Sequence, residues 1–465
     1  MSASVPRRGE PLALAVLLAG GALLLSRRIT LPSLEFDEQV YLASADLLGR
    51  GLQLGRDVFT SQPPLFLAFL DGARSLAGGS ATALRWVFVG LTLTGALASW
   101  AIVRRRAGAT AGIAAAALVI VCPGVVEAAA VVSADVPSVA LGTLALLAAH
   151  EARDRPVWAL AAGAILACAV LTKLLAAPFA VAIVAGALAE RPVLRAVGWF
   201  AAGLAGVLAA VALAYADVLG ALWHGAVELH LEARGAEVHF PRPSILVAVI
   251  LIAGAYAGML AVLAAGVSEV PRAELRRWLA ARADLIALVA TGIAFCLLQR
   301  PLLNHHLVIV AWPLALLAAS SLPRRLRRPR GWALVALGLA LVLPWTVHGR
   351  DTVPKGERAQ LEAAAKEIAA RTTPSQSVAC DLPVVGLLAG RAAAPATVDP
   401  SYVRVQTGAL SVAAIEAAVG KAGAACVGRA FRSVPGVSAA LDRRFARHTR
   451  FGGIEVWTVA RAQPG

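Results

Sequence analysis

Apolar residues run along this chain in long, nearly unbroken blocks. Stretches of roughly 17–25 such residues, the length that crosses the hydrocarbon of a bilayer as a helix, recur from Leu12 to Leu343. They predict eleven spans, at about 11–31, 83–103, 108–126, 134–150, 157–172, 174–190, 196–216, 244–266, 283–299, 305–322 and 331–348. The fifth and sixth are short and also fit a re-entrant pair. The first block, Pro11 to Leu25, follows Arg7 and Arg8 as a signal peptide would. Ser26-Arg27-Arg28 then follows it without a small-residue cleavage site, so it reads as a retained helix. Three polar segments are long enough to do work outside the bilayer: Pro32 to Ala83, Asp217 to Pro243, and everything from His348 onward.

The polar segments have patterns of their own. From Asp37 to Arg50, the spacing of Val40, Tyr41, Leu47 and Leu48 predicts a short amphipathic helix. Ser61 is placed to cap a second helix with proline in its first turn, and its Leu65, Phe66, Phe69 and Leu70 would dip into the membrane interface. The first segment therefore reads as two helices lying flat on one face of the bilayer. Leu222 to Arg234 reads as a further amphipathic helix on which His224 and Glu228 share a face with His230 nearby, either a site or a plain polar surface. Near the C-terminus, Gly356 to Arg371 forms an amphipathic helix with Leu361, Ala364, Ala365 and Ile368 on one side. β-prone runs at Ser377–Cys380, Tyr402–Val405, Ala425–Val427 and Ile454–Val459 follow, with a helix near Val412–Val419 between them. Strands alternating with helices predict a small α/β domain, without a glycine-rich phosphate loop or an internal repeat. Such a domain reads as a structural or acceptor-positioning cap rather than an independent enzyme.

Composition agrees with the block pattern. The 465 residues are 59% hydrophobic and 15% charged, with a mean hydropathy of +0.73, well beyond a soluble domain. The net charge of +15 would suggest nucleic acid, but its placement does not. With the N-terminus inside, the short inner loops hold sixteen arginines: Arg104, Arg105, Arg106, Arg153, Arg155, Arg191, Arg195, Arg272, Arg276, Arg277, Arg282, Arg324, Arg325, Arg327, Arg328 and Arg330. The short outer breaks hold four basic residues, Lys173, Arg234, Arg242 and Arg300. That asymmetry is a positive-inside signal, and an odd number of spans then puts the C-terminus outside. Cys122, Cys168 and Cys296 fall in or beside apolar runs and read as core residues, whereas Cys380 and Cys426 lie in the C-terminal domain and could pair in an oxidising compartment. Alanine- and arginine-rich usage points to a bacterial genome and so to the cytoplasmic membrane.

The acids gather on the outer side. The first outer loop reads Leu34-Glu35-Phe36-Asp37-Glu38-Gln39-Val40-Tyr41, then Gly51, Arg56-Asp57 and Ser61-Gln62-Pro63-Pro64-Leu65. Carboxylates just after a membrane helix are costly in hydrocarbon, so they sit at the interface or in a wet cavity. The run Asp37-Glu38-x-x-Tyr41 with Gly51, Asp57 and Pro63-Pro64-Leu65 resembles the first outer loop of the GT-C glycosyltransferases, in particular the protein O-mannosyltransferase and aminoarabinose transferase group. Asp135, in the outer turn before the fourth span, stands where that family has a second acid. Leu171-Thr172-Lys173 is similar to a family signature, and His305-His306-Leu307 with Pro313 resembles the start of a late family helix. The resemblance covers the layout of most of residues 1–350.

The resemblance implies transfer of a sugar, with inversion, from a polyprenyl-phosphate carrier to an acceptor hydroxyl at the outer face. A hydroxyl is a weak nucleophile, so a carboxylate must take its proton; Asp37 is the candidate base, and Glu38 would hold the acceptor or a metal. The leaving phosphate calls for cations, for which Lys173, Arg56 and Arg242 are candidates in that order. Tyr41, Asp135, His305 and His306 complete the substrate-binding set. Several of these have plainer readings: Glu35 and Asp57 as solvated or structural acids, Asp135 as a helix N-terminus, Lys173 as a snorkelling side chain, His305-His306 as interfacial packing. A divalent cation (Mg, Mn or Ca) is open, with Asp37 and Asp135 as candidate ligands. The expected partners are a lipid-linked sugar donor, an acceptor glycan, lipid or protein hydroxyl, and membrane lipids, with no nucleic acid. A transporter or lipid flippase is the rival class. It would show paired halves and mid-membrane charges, which the pattern lacks; a silent receptor or assembly subunit is the third. The chain thus reads as a polytopic α-helical membrane protein of about eleven transmembrane helices. Residues 1–348 would form a GT-C-like catalytic domain whose first outer loop (about 32–83) is interfacial, and 349–465 an extracytoplasmic soluble α/β domain.

Overall fold

The computed structural model describes residues 9–27, 29, 35–152, 155–189, 193–235, 256–299, 302–322 and 355–459. They fall into two compact units. The first takes Met1–Thr30, Arg85–Ala214 and Pro241–Gly349; the second takes Leu31–Leu84, Tyr215–Phe240 and Arg350–Gly465.

The first unit is a helical bundle. Every predicted span except 331–348, which lies outside the described residues together with the first part of 244–266, contains a described helix. Ala81–Ala107 and Ala196–Ala214 are long and apolar enough to cross a membrane alone, and Arg272–Ala280 with Ala283–Leu298, bent by 72°, adds a third if the pair is one span. Glu10–Ser26, Ala109–Val121, Val157–Thr172, Leu174–Ala189, Ala257–Ser268 and His305–Ser320 are shorter apolar helices. Proline and extended residues shorten them. Pro123 restarts the chain after an extended Cys122 (φ −60°, ψ 127°), splitting the 108–126 span into Ala109–Val121 and Pro123–Ala128. Lys173 is extended between Val157–Thr172 and a tight turn at Leu174–Ala176.

Small residues let these helices approach. Val157–Thr172 lies against both Asp135–Glu151 and Val193–Ala214. A Cβ on Gly163 would strike the Phe200 carbonyl, and one on Gly203 the Leu160 carbonyl, so the backbones touch at a reciprocal glycine pair. Gly163→Val is therefore expected to destabilise the bundle by about 1–3 kcal/mol through overpacking, read as a lower unfolding midpoint in detergent; an unshifted midpoint would exclude this crossing. Val308–Ser320 is buried along its length, and Trp312 Nε1 donates to Ser99 Oγ at 3.0 Å. The arginines that end Ala81–Ala107 are neutralised in place. Arg104 pairs with Glu10 at 2.5 Å, Arg105 pairs with Glu151, and Arg106 pairs with Asp284, which also holds His150 Nε2 at 2.9 Å.

The second unit brings together the polar segments Leu31–Leu84 and Tyr215–Phe240 and the C-terminal region Arg350–Gly465. Helix Phe36–Gly49 ends where Gly51 takes φ 89°, a backbone that favours glycine. The following helix is Pro64–Leu76, and its N-cap is Pro63 rather than the expected Ser61, with Pro64 at the first helical position. Phe66, Leu67 and Leu70 turn into the protein and are almost completely buried, leaving Phe69 as the exposed member of the face expected to meet lipid. Asp46 ties the two helices, accepting from Arg50 at 2.7 Å and Arg74 at 2.5 Å. In the second loop the expected helix is present, running from Leu219 to Gly235 with a π turn at His224–Glu228 inside it.

The C-terminal region carries a four-stranded sheet in the order β1-β2-β4-β3, with β1 Val378–Cys380, β2 Ala424–Val427, β3 Arg447–Phe451 and β4 Ile454–Thr458. β1 and β2 are parallel; β4 runs antiparallel to β2 and β3. Side chains alternate between two cores. Ala425, Val427 and Trp457 pack with helices Val412–Lys421 and Val437–Arg444, whereas Ala424, Cys426 and Val456 pack with Lys355–Arg371 and Pro383–Leu388. β3 is a polar edge strand that the apolar runs did not reveal. Tyr402–Val405, expected as a strand, is instead the helix Tyr402–Gln406, because Ser401 caps it by accepting from the Arg404 N–H. Cys380 and Cys426, register partners on β1 and β2, form a disulfide, while Cys122, Cys168 and Cys296 are free.

Candidate functional site

The predicted site residues divide between the two units. In the first, Asp135, Lys173, His305 and His306 come together. Asp135 opens the helix Asp135–Glu151 and does not cap it. Its carboxylate is fully buried, and Lys173 Nζ reaches both oxygens, at 2.9 and 2.8 Å. Lys173 therefore does not snorkel. Its extended backbone breaks two helices and turns the side chain inward, leaving the residue 7% exposed. His305 and His306 sit in the tight turn Asn304–Leu307 before helix Val308–Ser320, with their rings edge to face at 4.5 Å. The Leu303 N–H donates to His306 Nδ1 at 3.2 Å, which leaves Nε2 to carry the proton of the neutral ring.

Asp135, His305 and His306 could share a metal ion, since one ligand atom from each lies within 4.8 Å of the others. Imidazole and carboxylate suit zinc or another transition metal rather than Mg or Ca. Yet both Asp135 oxygens are committed to the Lys173 ammonium, so a dication would have to displace it. The set as built, an ammonium balanced by a carboxylate with two imidazoles beside them, fits a group of hydrogen-bond donors for an anion better than a metal centre.

In the second unit, Asp37 and Glu38 occupy the first turn of helix Phe36–Gly49, where the helix dipole favours carboxylates. Asp37 is half-buried and Glu38 is 1% exposed. Tyr41, one turn on, meets the Phe66 ring edge to face at 4.8 Å. Asp57 accepts from the Gln53 N–H at 2.8 Å and shapes the turn between the helices. Arg56 reaches out to Asp217 of the second loop at 2.6 Å, an exposed pair. Arg242 lies outside the described residues. His224 and Glu228 do share a face, 3.1 Å apart and exposed.

Sequence reasoning named His230 and Ser61 but not their contact, and gave no role to Arg404, Phe59, Gln39 and Val384. The His230 ring meets the Ser61 carbonyl at 3.1 Å. Arg404 lies over the Phe59 ring at 3.8 Å and donates to the Asp399 carbonyl at 2.7 Å, while its burial pulls the guanidinium below its usual range. The Val384 N–H donates to Gln39 Oε1 at 3.3 Å. The contacts His230–Ser61, Arg404–Phe59 and Gln39–Val384 join stretches more than 150 residues apart, and local periodicity carries no signal for them.

Residues 61–215 match the family model for dolichyl-phosphate-mannose-protein mannosyltransferase. The crystal structure of ArnT from Cupriavidus metallidurans bound to undecaprenyl phosphate is similar to the chain with a TM-score of 0.67 at 16% identity, covering 98% of this chain and 99% of that one. Its apo form gives 0.65 at 16% identity over 96% and 97%. The oligosaccharyltransferase of Archaeoglobus fulgidus, in complex with Zn and sulfate, gives 0.54 at 15% identity over 88% and 67%. No curated protein matches the sequence. The mostly helical fold is similar to that of ArnT, in agreement with the GT-C resemblance read from the segment that carries Asp37 and Glu38.

Proposed function

We propose that this chain is a membrane glycosyltransferase that takes a sugar from a polyprenyl-phosphate carrier and transfers it to an acceptor hydroxyl at the outer membrane face. The likeness over nearly the whole length of both chains to an enzyme holding undecaprenyl phosphate carries this reading, and the match to a dolichyl-phosphate-mannose family supports it. The outer placement rests on the arginine asymmetry and on the Cys380–Cys426 disulfide, a bond that persists in oxidising compartments.

The proposed chemistry is a single in-line displacement. The Asp37 carboxylate takes the proton of the acceptor hydroxyl as that oxygen attacks the anomeric carbon. The bond from this carbon to the carrier phosphate breaks with its electron pair going to the phosphate, so the anomeric centre inverts. Glu38 orients the acceptor. Lys173 alone does not supply net positive charge, because Asp135 balances it; His305 and His306 beside the pair add donors for the leaving phosphate. Arg56 is a further candidate, shared with Asp217. If a divalent cation binds, it would screen the same phosphate charge.

Purified protein in lipid nanodiscs is expected to consume labelled polyprenyl-phosphate mannose or a related polyprenyl-phosphate pentose when given membrane glycans, lipids or peptides as acceptors. No turnover of any such donor, together with flux of the donor across sealed vesicles, would overturn the reading in favour of a transporter.

A further inference from the structure

Gln39 follows Glu38 in helix Phe36–Gly49 and is 4% exposed. Its Oε1 accepts from the N–H of Val384, 345 residues further along the chain. Val384 is in the first turn of helix Pro383–Leu388, where backbone N–H groups have no intrahelical acceptor. Leu382 at the N-cap has no side-chain acceptor to offer, so Gln39 fills that role from a distant segment. The two helices also pack on one another.

The segment that presents Val384 is itself held at its root. Cys380, the last residue of β1, is bonded to Cys426 on β2. The next residue, Asp381, accepts from the N–H of Gly428 and, at 2.8 Å, from that of Phe431, both just beyond β2. Residues 380–384 thus form a short strap, pinned to β2 at its first two positions and bonded to Gln39 at its last.

We propose that Gln39 is a positioning residue: through Val384 it lets the disulfide-pinned strap of the C-terminal domain hold the first turn of helix Phe36–Gly49, and with it Asp37 and Glu38. This rests on the reading of Asp37 as the base. A helix's first turn frays unless something outside it is bound, and a base displaced by an ångström loses most of its effect. A side-chain tie two residues from Asp37 opposes that fraying. It also makes the orientation of the base depend on the oxidised state of Cys380–Cys426, a residue pair remote in sequence from the carboxylates.

The test uses the full-length protein in detergent with polyprenyl-phosphate mannose as donor probe, and compares Gln39→Met, Cys380→Val with Cys426→Val, and Asp37→Asn. Methionine keeps the length of glutamine and removes the acceptor. For Gln39→Met, kcat is expected to fall about 10-fold, the effect of one buried hydrogen bond, with KM for the donor unchanged. Amide exchange at residues 36–41 should accelerate in this variant and in the double cysteine variant. Unchanged exchange in Gln39→Met, or faster exchange with unchanged kcat, overturns the proposal. An active Asp37→Asn would instead sink the base assignment, leaving the exchange result to decide whether the strap holds the helix.

Discussion

Asp37→Asn is expected to lower sugar transfer by about 10²–10⁴-fold, the usual worth of a positioned general base. Asparagine keeps the size and the hydrogen-bonding reach of the side chain but has no lone-pair site basic enough to take the hydroxyl proton. Asp37 is half-buried at the start of its helix, and asparagine fits the same space. The folded state should be little affected, with an unfolding midpoint near that of the wild type, and donor binding should persist. Loss of turnover with retained donor binding is the outcome that supports the base; loss of both would point to a binding role. Glu38→Gln makes the comparison sharper. Glu38 is 1% exposed, and as an orienting group its loss should raise KM for the acceptor more than it lowers kcat.

Lys173→Met is expected to give the largest loss of stability. Lys173 and Asp135 form a bidentate pair buried inside the helical unit. Removing one partner of such a pair leaves an uncompensated charge and costs about 3–5 kcal/mol, whereas removing both is often close to neutral. The double variant Lys173→Met with Asp135→Asn should therefore recover most of the unfolding midpoint lost by Lys173→Met alone. Its sugar transfer should remain low, because the donors beside the leaving phosphate are then reduced to the imidazoles of His305 and His306. If the single and double variants unfold at the same temperature, the pair is not coupled and the anion-site reading loses its anchor.

The helical unit was largely legible in the chain. Apolar blocks marked the longer helices from Glu10–Ser26 to Val308–Ser320, because burial in hydrocarbon requires one continuous apolar run per span, but not the basic helix Leu275–Ala280. The interruptions were harder to see. An extended Cys122 or Lys173 looks like any other residue in a hydropathy average, yet each ends a helix. The C-terminal sheet was legible where strands are buried on both faces, as at Ala424–Val427, and illegible at Arg447–Phe451, whose polar face is exposed at the edge. Tyr402–Gln406 was misread because a serine cap outweighed the β preference of a short Tyr-Val run.

At the site, the types of chemistry were visible and their pairings were not. The carboxylates Asp37, Glu38 and Asp135 could be singled out because acids are expensive near hydrocarbon. Nothing local told that Lys173 would spend both its contacts on Asp135, that His305 and His306 would gather beside that carboxylate, or that Gln39 would reach Val384.

The amino-acid order by itself determined where the long apolar helices fall and that a small α/β region follows them, since each is set by local solvation and periodicity. Tertiary structure alone decided which charge neutralises which, that Cys380 meets Cys426, and that a distant strap grips the helix carrying Asp37 and Glu38. Those pairings depend on contacts between residues far apart in the chain, and only the packed fold brings them within hydrogen-bonding distance.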